Sequence, residues 1–566
     1  MSLASNCSFV NESTSNNTEI QVNDSFGTIE RANFEEECSK RSYLDSTWFA
    51  PDFSRMVNSY ITYLPVHKIV RKIEESYKSR MTNIKNEISK VNCVCTTDIW
   101  TSYSRRFMGI TVHWIDEKSL KRISYAIACR RFSGSHSHDR IANMLNEIHL
   151  KYEITREKLI ATVTDNGSNF VKAFKRTYII FIVQKANNNF NFLDYIETYE
   201  DNQYERESTE IMSFQEIVSP LLPSHQRCAS HTLHLVATND QSSENVKLMY
   251  NDIMQKCSTL WKSARSPKKY EVIVETLKKA LKRPVVTRWN SLFDCFKQLI
   301  TLKKELLILF GKLDVSNLTT NDFMFIEEYV KCTEPIAEAL DILQGEADIS
   351  YGYLLPTIIS AKNKLKKITN DELLYCKDLI PILITSLEAR FANLFNVIEE
   401  GKQAVVAAAT HPKFKLRWLR CLGETARSNA MIAIKNGITS CCTPSQNMME
   451  VDISNDGDGD GDGDGNGFDF HGIGDSAMLL QNALEMNASE VEFQGFWRDK
   501  RNDLSILHAY PIIKVAFIKF NTLIPSSAPV ERMFSFATMY DIAKFNRLTD
   551  ENFEKRVLCK ANNINK

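Results

Sequence analysis

Apolar positions along the first half of the chain change period several times. LPVHKIVRKIEESYKSRMTNIKNEISK places them at helical spacing with charged faces, which predicts one or two helices within 43–90. VNCVCTTDIW, RFMGITVHWID and LKRISYAIACRRF, within 91–134, are β-branched or alternating. They read as three strands joined by turns of Ser, Asp, Glu and Lys. HSHDRIANMLNEIHLKYEI returns to a helical period with Ile141, Met144, Leu145 and Ile148 on one face. LIATVTD is a short buried strand ending at Asp165, and after a polar insert at about 185–220 CASHTLHLVATND resumes an apolar element. The order strand, strand, strand, helix, strand predicts an α/β core with a mixed sheet over 91–240.

The second half is helical in pattern. Residues 241–448 form an all-α block without detectable repeats, exemplified by NVKLMYNDIMQKCSTLWKSA and DLIPILITSLEARFANLFNVI. The Gly-Asp repeat within 449–476 fits neither an EF-hand loop nor a calcium-binding nonapeptide, and reads as a flexible acidic linker. From 477 to 566 helical spacing returns, with a Pro-Ser-Ser turn before Glu531. Residues 1–42 are polar and poor in aliphatics, so a disordered tail is expected there.

Composition narrows the class. The chain has 566 residues, enough for three to four domains, and its 43% hydrophobic and 25% charged content is that of an ordinary globular protein. A net charge of -1 makes no global case for nucleic acid, so any such binding needs a local basic face. The 14 cysteines are scattered without Cys-x-x-Cys pairs, which favours reduced thiols. The start lacks a signal peptide, so the sequons at Asn6, Asn11, Asn16 and Asn23 belong to an Asn/Ser-rich tail. No run approaches the roughly 20 apolar residues that span a bilayer.

Four constellations could carry chemistry. Asp98 within the first strand and Asp165 at the end of a later one are hard oxygen ligands suited to Mg²⁺, if the strands are neighbours. Each alone is equally a turn former, and Asp165-Asn166-Gly167 is good turn chemistry. Glu531 follows Ser527, a candidate N-cap, and Pro529. It borders an apolar face of Val530, Met533, Phe534 and Ala537, and reads equally as an exposed first-turn acid. Cys228 and His231, flanked by His225 and His234, raise zinc. Steps of three spiral around a helix and no second pair is near, so no structural zinc is predicted and a local packing role is preferred. Arg288 and Trp289 could hold an unpaired base and its phosphate, although a Trp in a helical block is more often core. Arg105-Arg106, Lys121-Arg122, Arg130-Arg131 and KSARSPKK (262–269) are basic runs of the kind that usually form solvated faces, and the last is also a weak nuclear-import candidate.

Taken in order, CTTDIWTS, RFMGITVHWID, VTDNGSNFVKAF, LPSHQRCASHTLHLVAT, VVTRWNSLFD and the stretch from FWRDKRNDLSILHAYP to NRLTDENFEKRVL resemble the hAT transposase family, in particular its BED-finger-associated branch. The resemblance runs from about Leu44 to the C-terminus apart from the two polar inserts. It implies a ribonuclease-H-like core interrupted by a large all-α insertion domain and completed by a C-terminal dimerisation region. It implies that Asp98, Asp165 and Glu531 are an acidic triad for Mg²⁺ or Mn²⁺, that Arg288 and Trp289 handle a flipped base, and that Cys228 and His231 form a motif near the active site. Trp497, Phe534, Leu548 and Val557 would bury a partner surface. Apart from the resemblance, the basic pair Arg105 and Arg106 is a candidate DNA contact. The partners implied are DNA and a second copy of the chain, in the nucleus, with neither a membrane nor a small-molecule substrate. Two departures stand out. Residues 1–90 hold only Cys7, Cys38 and His67, too few for a BED zinc finger, and Phe545 stands where a basic residue is common. The expected function is therefore a transposase or a transposase-derived protein, with a catalytically inactive DNA-binding dimer as the alternative.

Overall fold

Five strands form one mixed sheet in the order β3-β2-β1-β4-β5. The computed structural model describes residues 66–135, 137–165, 167–174, 222–238, 244–285, 289–313, 315–345, 349–369, 371–442, 488–542, 545 and 547–563. Val70–Asn565 make up one compact unit, and Met1–Ile69 with Lys566 fall in another, of which only the first turn of a helix is described. The expected tail (1–42), the polar insert (185–220) and the Gly/Asp linker (449–476) lie outside the described residues, as does Arg288.

Helix α1 (Val66–Ile88) leads into β1 (Cys93–Ser102), β2 (Arg105–Ile115) and β3 (Arg122–Arg131), an antiparallel meander. Helix α2 (His138–Lys151) then crosses to β4 (Leu159–Thr164), which runs parallel to β1. The strands sit where alternation and β-branching put them. β5 (His225–Arg227) escapes the sequence reading because three residues, all of them polar or charged, carry no period. It pairs parallel to β4 and passes directly into α3 (Ala229–Thr238). Both faces of the central strands are covered, and Cys93 to Thr97 and Phe107 to Ile115 are accordingly buried in unbroken runs.

Beyond α3 follow α4 (Glu244–Ser263), α5 (Pro267–Leu277), α6 (Trp289–Thr301), α7 (Lys303–Leu313), α8 (Thr320–Leu343), α9 (Leu354–Ile368), α10 (Leu379–Arg390), α11 (Ala392–Asn396), α12 (Glu400–Thr410) and α13 (Glu424–Thr439). Their interior is continuous with one face of the sheet. A single apolar cluster runs from Val94, Ala161 and Val163 through Leu233 and Val236 of α3 to Phe296, Tyr329 and Trp418. The last segment holds α14 (Ala488–Arg498), α15 (Pro511–Asn521), α16 (Ala528–Thr538) and α17 (Asp550–Asn563). Helix α16 packs on β1 and β2, and α17 lies along β3. Asn562 of α17 accepts the Ala126 N–H at 2.8 Å and donates to its carbonyl at 2.9 Å. Glu554 accepts the Cys129 N–H at 3.0 Å. These side chains occupy backbone groups that a bare edge strand would leave open.

Candidate functional site

Asp98 is placed by register. The pairing of Thr96 with Val163, carried two residues on, sets Asp98 alongside Asp165 at the same end of two parallel neighbours. Across the other pair Asp98 faces Gly109. Cross-strand partners share a face of the sheet, and on that face lies α16, which carries Glu531 in its first turn. A Cβ on Gly109 would fall 2.5 Å from Met533 Cε, 2.6 Å from Phe534 Cζ and 2.6 Å from Val530 Cγ2. The bare backbone at Gly109 is therefore what lets α16 settle on the strands beside Asp98. Trp100, two residues after Asp98, stacks on Phe107 at 5.8 Å and on Phe534 at 5.7 Å, which closes the apolar floor of the site.

Glu531 reaches this face because the segment before α16 is held from several sides. Arg122 of β3 donates from Nε to the Ile349 carbonyl (2.9 Å), from Nη1 to Thr522 (2.8 Å) and from Nη2 to Asn521 (2.5 Å) and Leu523 (3.2 Å). Burial lowers the Arg122 pKa to about 9. Asn521 in turn accepts from Ser350 Oγ (2.8 Å) and the Gly352 N–H (2.9 Å). Cys228 is the third anchor. Its N–H donates to the Thr164 carbonyl (2.8 Å), next to Asp165. Its Sγ accepts the N–H groups of His231 (3.4 Å) and Ser527 (3.3 Å). The Ala229 N–H meets the Pro525 carbonyl at 2.8 Å. One buried cysteine thus links the end of the strand preceding Asp165, through its backbone N–H, to the start of the helix bearing Glu531, through its thiol. Burial raises its pKa, keeping it a neutral acceptor.

The carboxylates sense one another. Burial first, then the negative charge of Asp165, push the Asp98 carboxyl up to about 7. Glu531 adds a smaller push in the same direction, and the Ile99 N–H, 2.7 Å from Oδ1, opposes it. Asp165 Oδ1 accepts the Gly167 N–H at 3.0 Å, the expected turn, so this residue is at once a turn former and a member of the acidic group. Repulsion of this kind is relieved by a cation, and three hard oxygen donors are the set that Mg²⁺ or Mn²⁺ takes. Among the described residues, no three His, Cys, Asp or Glu side chains are grouped tightly enough to hold one ion between them. Mg²⁺ commonly takes one or two carboxylates and completes its shell with water and phosphate oxygens, so the donor set fits in kind.

Other expected site residues fall elsewhere. Ser527 occupies the N-cap position of α16, but its side chain makes no cap hydrogen bond. Ser526 Oγ accepts the Ala528 N–H instead, at 3.1 Å. His231 is half-buried beside His234, with ring centroids 6.3 Å apart. His225 is held by Thr164 Oγ1 at 2.8 Å and stacks on Phe174 at 4.7 Å, and burial lowers its pKa to about 4. Trp289 is 5% exposed, packed on Phe293 within the helical core, and presents no free face for a base. Arg105 is occupied internally. It pairs with Asp541, lies 3.6 Å from Asp550 and covers the Phe107 and Phe553 rings, so it is a tether for the C-terminal segment rather than an open DNA contact. Arg106 donates to the Gly134 carbonyl at 3.1 Å in an exposed setting. Phe534 and Val557, expected on a partner surface, are instead 5% and 0% exposed within the chain's own core. Trp497 and Leu548 are half-buried.

Residues 96–186 match the family model of the ZBED1 RNase-like domain. The match begins in β1 and covers Asp98 and Asp165, while Glu531 and the helical block lie beyond it. A five-stranded mixed sheet with helices on its faces fits an RNase-like core with helical parts. No curated protein matches the chain. Gly109 and Ser526, which build the site, were missed by sequence reasoning because neither belongs to a chemical pattern, and Arg122, expected with Lys121 on a solvated face, is instead buried against the backbone carbonyls of residues 349 and 521–523.

Proposed function

We propose that the chain is an hAT-like transposase or a transposase-derived protein that binds DNA and dimerises in the nucleus, with Asp98, Asp165 and Glu531 as ligands for Mg²⁺ or Mn²⁺ at a site for DNA strand cleavage and transfer. The observation that carries this reading is the parallel register that sets Asp98 alongside Asp165 at one strand-end edge, with α16 and its Glu531 packed on the same strands. A cation held by these carboxylates would supply Lewis-acid polarisation of a phosphodiester. The chain's own part is positional. Asp98 and Asp165 hold one strand-end edge, Glu531 approaches from α16, and the Trp100–Phe534 stack keeps the floor apolar. The similarity of residues 96–186 to an RNase-like domain supports the same reading.

The test is Mg²⁺- or Mn²⁺-dependent nicking of DNA carrying the ends of the element, comparing the chain with Asp98→Ala. Cleavage lost in the variant supports an active transposase. No cleavage by either protein, with DNA binding and dimerisation intact, supports the alternative of a catalytically inactive DNA-binding dimer. Among the described residues no helix is long and apolar enough to cross a membrane.

A further inference from the structure

The helical block carries a concentration of positive charge that the acidic site does not use. Residues 262–283 hold eight Lys and Arg against two Glu, in a chain whose net charge is -1. Helix α5 lies between two groups of these cations. Lys262, Arg265, Lys268 and Lys269 gather at the α4–α5 corner, and Lys278 and Lys279 lie just past the other end. All six are exposed. Several cations elsewhere on the block are neutralised: Lys256 by Asp252 and Asp322, Lys297 by Glu334, Lys364 by Glu338. None of the six forms an ion pair among the described residues. Glu271 and Glu275, on the same helix, do not reach them within salt-bridge distance. Tyr270 stands exposed within the corner group.

The arrangement is rigid. Ile273 and Leu277 bury the inner side of α5, α5 packs on α7, and Lys312 of α7 donates to Thr276 Oγ1 at 3.2 Å. Lys278 ends the helix in a left-handed conformation (φ 53°) that turns the chain and presents the second group of cations. Nine residues of helix, from Lys269 to Lys278, separate the groups by about 14 Å. Duplex DNA presents one charge per roughly 1.7 Å of axis, so that span faces a dense row of phosphates. A fixed, unneutralised basic surface of this length without an apolar centre fits a polyanion backbone. It does not fit a folded protein partner, whose interface core would be depleted of charge.

We propose that the α4–α5 corner and the turn after α5 form a duplex-DNA backbone clamp, separate from the acidic site and independent of base sequence. It shares only its partner with the proposed function, so a failure of cleavage leaves it standing. Binding of a short random-sequence duplex to the full chain would be followed against salt concentration. The comparison is with a variant carrying Lys262→Glu, Arg265→Glu, Lys268→Glu and Lys269→Glu, and with the same positions changed to Gln in case the charge reversal impairs folding. Each phosphate contact adds about 0.9 to the slope of log affinity against log salt, so removing four should flatten it by roughly 3–4. Melting should be unchanged. An unchanged slope in both variants overturns the clamp. So does equally strong, equally variant-sensitive binding to phosphatidylserine vesicles, which would assign the surface to anionic lipid.

Discussion

Gly109 lies across the β1–β2 pair from Asp98, and the space its missing side chain leaves is filled by Val530, Met533 and Phe534 of the helix that carries Glu531. The acidic site therefore depends on a residue with no chemistry of its own. Gly109→Ala should lower stability by about 1–3 kcal/mol through overpacking. It should also weaken divalent-cation binding, measured as the Mn²⁺-induced rise in melting temperature. Gly311→Ala on α7, where a Cβ meets nothing within 4 Å, is the control and should stabilise by about 0.5–1 kcal/mol. Equal behaviour of the two variants would show that α16 does not depend on that contact.

The Asp98 carboxyl gives a pH dependence with a definite sign. Its folded pKa of about 7 lies above its ordinary value of 3.8, so the folded state holds the proton more tightly than the unfolded one. Stability from this group is full below pH ~4 and falls as pH rises to about 7, by roughly 4 kcal/mol at most. Asp98→Asn should flatten the melting curve across that window and raise the melting temperature at pH 8 in EDTA. Mg²⁺ should stabilise the parent and leave Asp98→Asn nearly unmoved. A parent whose melting temperature climbs between pH 4 and 7 for reasons traceable to Asp98 would contradict the assignment.

Cys228→Ala removes the acceptor for two N–H groups, those of His231 and Ser527. A cost of about 1–3 kcal/mol is expected. Cys228→Ser keeps an acceptor with a shorter reach and should recover part of it. The native thiol, buried with a raised pKa, should react with a thiol reagent only on unfolding. Rapid labelling of Cys228 in the folded protein would show that the link to α16 is not closed.

Arg105 and Arg106 should separate by phenotype. Arg105→Ala breaks pairs with Asp541 and Asp550 and leaves Asp541 buried without a counter-charge, which should cost about 1–3 kcal/mol while the salt dependence of DNA binding stays as in the parent. Arg106→Ala should change stability by less than about 0.5 kcal/mol. If Arg106 meets a phosphate, the salt slope falls by about 0.9 in that variant alone. A reversed pattern would return Arg105 to the DNA surface.

Much of this protein was legible without coordinates. Alternation and β-branching located β1 to β4, helical spacing located α2 and most of the helical block, and the ends of two strands carried Asp98 and Asp165. Those signals are local, because a strand or helix repeats its environment every two or 3.6 residues and writes it into the chain. Tertiary structure alone decided the rest. Val530, Met533 and Phe534 announce an apolar face, but that face could have met a partner chain, and only the hole at Gly109 shows that it meets the sheet. Phe534, Val557 and Trp289 were legible as buried or stacking residues, yet not what they are buried against. The approach of Glu531 to Asp98 rests on Arg122 gripping the carbonyls of residues 521–523 and on Cys228 receiving the Ser527 N–H. Such contacts join positions hundreds of residues apart through single backbone groups, which have no period and no characteristic residue, so nothing in the linear order of the chain records them.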